Sequence, residues 1–217
     1  FFDDFSGAAL GYLLPPNWSD AVWDATLTGN EIITGGSDDR VFRYHALSSG
    51  GTVFRAAKFD TAGDVSGDLE VVSKLRSGSG NFDYSAVTLC GGGSFGDSTA
   101  QGYSAQVYAA TKLRIRKISG SGHSYIASVT LPAAIDRNVW HWVRLRRTSA
   151  GVIEAKAWID GDAEPGWQVS TTDTAFSSGW VGVSAGYQFK SRDSDSFGLG
   201  TNGDPAPTGP VATGPAT

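Results

Sequence analysis

The chain has 217 residues with aromatics at 12%, seven of them Trp, enough apolar mass for one domain and too much for a disordered chain. Its 17 basic and 22 acidic residues leave a net charge of −5, so bulk charge draws it to no polyanion and nucleic acid is excluded as a default partner. No apolar run approaches the length of a membrane span, and the single Cys90 excludes an intrachain disulfide or a Cys-rich metal site.

No window keeps the i, i+3, i+4, i+7 apolar spacing of a helix. Short runs rich in Val, Ile, Phe, Tyr, Trp and Thr predict strands instead, at 1–5, 21–27, 40–47, 52–59, 68–76 and 82–90. Further strands are predicted at 101–109, 112–118, 123–131, 139–147, 152–159, 166–170, 179–187 and 195–200. Gly/Ser clusters punctuate them, and Ser149-Ala150-Gly151 reads as a tight hairpin joining 139–147 to 152–159. Short strands at this spacing predict an all-β fold, an antiparallel two-sheet β-sandwich spanning 1–200. Residues 201–217 read as a Pro/Gly-rich extended linker or tail, held by a neighbouring chain if by anything. The chain has no Met and begins at Phe1, as expected of a piece of a longer polypeptide.

Strand alternation sorts the side chains by face. In 68–76, Leu69, Val71, Ser73 and Leu75 oppose Asp68, Glu70, Val72, Lys74 and Arg76. In 139–147, Val139, His141, Val143 and Leu145 oppose Trp140, Trp142, Arg144 and Arg146. In 152–159, Ile153, Ala155, Ala157 and Ile159 oppose Glu154, Lys156 and Trp158. In 40–47, Arg43 and His45 share a face. Such a polar face is either a solvated surface with ion pairs such as Arg144–Glu70 or Lys156–Glu70, or a groove for sugar. The candidate glycan site is therefore Arg43, His45, Glu70, Lys74, Arg144, Lys156 and Trp158. Trp158 is its expected stacking platform, and Arg144 and Glu70 its donor and acceptor.

Catalysis is not expected. Asp68 and Glu70 stand at i and i+2, about 7 Å apart along a strand, which suits a glycosidase pair. Laminarinase-like glucanases carry a third carboxylate on such a strand; here Val71, Val72, Ser73 and Lys74 follow, and Lys74 is expected to hold its neighbours ionised. The three His, at 45, 123 and 141, neither cluster for a metal nor accompany a G-x-S-x-G serine, and His141 falls on the apolar face. No cofactor is expected. Structural calcium is the one metal reading, through Asp3, Asp4, Asp193 and Asp195 on terminal segments expected to pair.

The C-terminal third resembles a known family. WHWVRLRR (140–147), IEAKAWIDGDAEPGWQVS (153–170), SGWVGVSAG (178–186) and DSFGLGTNGD (195–204) resemble the closing strands of concanavalin A-like, laminin-G-like jelly rolls. FFDDFSG (1–7) and DLEVVSKLR match the same pattern. The resemblance implies a jelly roll of twelve or more strands whose concave sheet often binds glycan. It extends to modules of bacteriophage virion proteins, in tails, fibres or decorations. It thus implies a non-catalytic module on a virion surface or in an extracellular setting. Its implied partners are bacterial surface polysaccharide or other virion subunits, in a homo-oligomeric assembly without membrane insertion. A purely structural domain is the alternative, and a glycoside hydrolase-like enzyme a more distant one.

Overall fold

The computed structural model describes residues 1–3, 18–21, 31–33, 41–45, 54–60, 62–77, 84–93, 99–120, 122–136, 138–186 and 191–209. Among these there is no helix, and all strand pairs are antiparallel. The first sheet runs β14 (Val169–Thr172), β13 (Val152–Ile159), β12 (His141–Arg147), β7 (Leu69–Ser77), β16 (Ser191–Thr201), β4 (Val41–His45), β3 (Glu31–Ile33). A short β1 (Phe2–Asp3) also pairs with β16. The second runs β11 (Gly122–Thr130), β10 (Lys112–Ser119), β9 (Gln101–Tyr108), β8 (Tyr84–Gly92), β15 (Ser178–Gly186), β5 (Phe54–Phe59), β2 (Trp18–Ala21). There β6 (Val65–Ser66) adds to β15.

Most predicted strands coincide with observed ones. The run at 166–170 is displaced to β14, and β3 and β6 were not expected; of the run at 21–27 only Ala21, in β2, is among the described residues. These two are short and lack the alternation that marks a strand. The expected hairpin forms, with Trp142 opposite Trp158 and Arg144 opposite Lys156. Gly151, at φ +82°, lets its N–H reach the Thr148 carbonyl at 2.8 Å. The chain ends also close as expected: Phe2 faces Gly198, and the Leu199 N–H donates to Phe1 O at 2.8 Å.

The core lies between the sheets. Leu69, Val71 and Leu75 of β7, Val143 and Leu145 of β12, and Ile153 and Ala155 of β13 supply the first sheet's inner face. They meet Val87, Leu89, Tyr103, Ala105, Leu113, Ile115 and Val183 of the second. At one end Trp18, Phe42, Phe59 and Phe197 form an aromatic cluster with centroids 5.0–6.2 Å apart. Phe197 reaches it because of a bulge. The register of β16 on β7 slips between Ser194 and Ser196. Asp193 stays outward beside Arg76, while Phe197 and Leu199, of the same parity, turn inward. His141 is buried on the inner face, and its Nδ1 donates to the Val139 carbonyl at 3.0 Å. Cys90 is buried too, which pushes its thiol up to about 11.

Candidate functional site

The first sheet's outer face is where the sequence places the site. Strands β7, β12 and β13 are adjacent, and their alternation brings Glu70, Lys74, Arg144, Lys156 and Trp158 onto one face. Arg43 and His45 lie in β4, two strands from β7 across β16, and their side chains lie outside the described residues.

The five converging residues are engaged with the protein itself. Arg144 Nη1 is bonded to Glu70 Oε1 and donates to the Ala206 carbonyl at 2.8 Å. The Ala206 N–H donates back to Glu70 Oε1 at 3.0 Å. Arg144 Nε and Lys156 Nζ stand 2.9 and 2.8 Å from Glu164 Oε1, and Lys156 also donates to the Pro165 carbonyl. Lys74 is not the partner of Glu70. It lies 2.9 Å from Asp160 and 3.0 Å from Asp195. Burial pulls the Lys74 ammonium's pKa down, but hydrogen bonds to Asp160 and Asp195 outweigh it and hold the value above that of an ordinary lysine.

The Pro-rich segment after β16 lies across this face. A Cβ at Gly198 or Gly200 would collide with the Pro207 or Asp204 carbonyl, so only glycine lets the segment lie this close. Ala206 packs on Val72, Trp158 and Trp142. Two expectations are corrected here. Trp158 is no exposed platform: it is 8% exposed, beneath the segment. The segment is held by its own sheet rather than by a neighbouring chain. The buried Glu70–Arg144 pair needs further hydrogen-bond partners, and the Ala206 peptide supplies one donor and one acceptor.

Three other tryptophans, Trp140, Trp142 and Trp167, remain half-buried at the margin, and none of them was among the candidate site residues. The Trp142 ring stacks on Trp158 at 6.0 Å and 13°, and its Nε1 donates to Asp160 at 2.8 Å. Arg76 covers Trp140 at 4.4 Å. Arg146 and Lys156 flank Trp167 at 4.3 and 4.4 Å. The W-x-W alternation of β12 already placed Trp140 and Trp142 outward. A cavity of about 170 Å³ beside Trp158 is walled by Leu131, Pro132, Ile135, Ile159 and Pro165.

The carboxylates are likewise committed. Asp68 accepts from the Ser149 N–H, which lowers its pKa. Asp193 pairs with Arg76 at 2.6 Å, and Asp195 with Lys74. Among the described residues no three His, Cys, Asp or Glu side chains gather as a metal site would require. Asp4 and the Asp3 side chain lie outside the described residues.

No family model and no curated protein matches the chain. Solved structures do. The carbohydrate binding module CBM66 from Bacillus subtilis is 16% identical, with 82% of this chain and 91% of that one covered and a TM-score of 0.53. The exoplasmic/lumenal domain of VIP36, solved with Ca²⁺ and Man3GlcNAc, is 13% identical over 88% of this chain and 86% of that one, at 0.55. A xylan β-1,4-xylosidase from Bacillus halodurans C-125 is 14% identical, covering 91% of this chain but only 38% of the enzyme, at 0.53. At such identities the likeness is one of fold: the chain has the two-sheet sandwich of lectin-like jelly-roll domains.

Proposed function

We propose that this chain is a non-catalytic recognition module that binds glycan along the aromatic margin of the first sheet's outer face. The observation that carries this reading is the set of half-buried rings Trp140, Trp142 and Trp167, each set beside charged side chains. A sugar stacks its C–H face on such a ring while its hydroxyls meet the charged groups alongside. Glu70 is buried against Arg144 and Ala206, which suits support of the face and not proton transfer in a cleft. Lys156 edges the site, Trp158 backs the Trp142 ring, Lys74 anchors Asp160 beneath it, and Arg43 and His45, in β4 two strands beyond β7, are proposed as its outlying members. The carbohydrate binding module and the Man3GlcNAc-bound domain among the fold neighbours support the reading by analogy. The setting we propose is a bacteriophage virion surface, supported by the resemblance of 153–170 and 195–204 to virion modules, with bacterial surface polysaccharide as the partner.

A second reading has its own observation. The face that clamps Ala206 by both peptide groups accepts an extended chain, as a domain that docks on neighbouring subunits would. A glycan panel with Trp142→Ala separates the two. Loss of the ring should weaken binding by about tenfold or more, by analogy with base stacking. Equal binding by Trp142→Ala and Trp140→Ala would remove the site from this face. Absence of any binding would leave docking as the function. Reducing-end release that disappears in Glu70→Gln would make the protein a hydrolase.

A further inference from the structure

We propose that the cavity at the free edge of β13 binds the acetamido group of an N-acetylated hexosamine, with Gln168 and Asp162 as its polar contacts. The inference rests on the glycan-recognition reading and names the sugar class that the first sheet's margin takes.

The cavity exists because the sheet stops short. β14 pairs with β13 only over 152–155, so the edge of β13 at 157–159 has no strand beside it among the described residues. Gln168 takes the place of the missing strand. Its N–H donates to the Ala155 carbonyl at 3.1 Å, and its Oε1 accepts from the Ala157 N–H at 2.9 Å. Across the gap, the chain that follows β11 is pinned to the turn before β10. There the Leu131 and Ile135 N–H groups donate to the Thr111 and Ala110 carbonyls, each at 2.8 Å. Both walls are thus in place before a ligand arrives. Between them lies the space of about 170 Å³ beside Trp158. Its floor, at Leu131, Ile135 and Ala157, is apolar and buried, and its mouth opens at the exposed Ala133 and Asp162.

The groups around this space select an acetamido substituent. The volume is below the roughly 300–1,000 Å³ of sites that enclose a whole small molecule, so it suits one substituent of a larger ligand. Gln168 Oε1 is spent on Ala157, and what its amide still offers is the Nε2 donor. The Asp162 N–H is held by the Ile159 carbonyl at 3.1 Å, while its carboxylate has no bond or ion pair among the described residues and offers an acceptor. One donor, one acceptor and an apolar floor match a secondary amide that carries a methyl group. Its carbonyl meets Gln168, its N–H meets Asp162, and the methyl rests on Leu131 and Ile135. A hydroxyl in the same place leaves the floor unfilled, and a sugar acid meets Asp162 as a like charge. Trp158 joins the cavity to the aromatic margin: it walls the one and lies stacked with Trp142 in the other. Trp142 is bonded to Asp160, two residues before Asp162, so a sugar ring lying on Trp142 has the cavity beside it.

The test is titration of the whole chain with N-acetylglucosamine and N-acetylgalactosamine oligomers, set against glucose, galactose and glucosamine oligomers of the same length. An acetylated oligomer should bind about tenfold or more tighter than its hydroxyl counterpart. Asp162→Ala, at an exposed position, should remove most of that preference. Gln168→Glu should do the same, because it keeps an acceptor for the Ala157 N–H and loses the donor. Equal binding of acetylated and hydroxyl oligomers overturns the inference and leaves the aromatic margin standing, as does a preference that survives both substitutions. Tighter binding of the glucosamine oligomer also overturns it, since an ammonium drawn to Asp162 needs no apolar floor. A preference lost in both cavity variants but untouched by Trp142→Ala and Trp140→Ala keeps this site and removes the margin. No binding of any sugar at millimolar concentration removes both.

Discussion

At the scale of single residues, the outer face of the first sheet is governed by one buried ion pair. Glu70 and Arg144 are both nearly inaccessible, so truncating either strands the other without a counter-charge. Glu70→Ala should lower the unfolding free energy by about 3–5 kcal/mol in urea titration, and the double change Glu70→Gln with Arg144→Met should cost far less. His141 gives a pH signature. Burial holds its pKa below the usual histidine value, against the weaker pull of the Val139 carbonyl. The folded ring therefore stays neutral where the unfolded one, at about 6.5, begins to take a proton. Its contribution is complete above that value and is lost as pH falls toward the lower folded value. The urea midpoint should fall between about pH 7 and pH 5, and less so in His141→Gln. The inward placement of His141 was legible from alternation alone. The partner of Lys74 was not: Asp160 lies past the end of β13 and Asp195 sits at a bulge, and neither position follows from strand parity.

At the scale of elements, strands β7, β12 and β13 could be read directly, because each keeps strict alternation over seven or more residues. β16 could not. Its outward Asp193 and inward Phe197 have the same parity, and only the bulge reconciles them. The covering of Trp158 was hidden for a different reason: a Pro/Gly-rich segment without apolar periodicity looks like a linker, and nothing local reveals that its peptide groups meet Arg144 and Glu70. The close contact of the segment can be tested at Gly200. A Cβ there would fall on the Asp204 carbonyl and crowd Pro205 and Ala206. Gly200→Ala should lift residues 204–207, at a cost of about 1–3 kcal/mol. It should expose Trp158, seen as a red-shifted emission, and speed hydrogen exchange at the Ala206 amide.

At the scale of the molecule, contacts that are distant in sequence dominate. The Phe1 amino group donates to the Leu199 carbonyl, 198 positions away, and β2 pairs with β5 in the same sheet that holds β15. Loop closure must precede most of these contacts, so refolding should be slow, on the order of milliseconds to seconds. Stopped-flow tryptophan fluorescence measures this, and a microsecond phase carrying the full amplitude would contradict the arrangement. The pairing of β1 with β16 has a mechanical consequence as well. Phe2 lies opposite Gly198 and Asp3 opposite Phe197, so the start of β1 and the exit of β16 stand at the same end of the ladder. A load that draws those two ends apart peels the pair one hydrogen bond at a time, instead of shearing several together. Residues 204–207, folded back over Gly198 and Gly200, take that load before the ladder does. Under tension the face they cover is thus the first to be bared, while the sandwich beneath still holds.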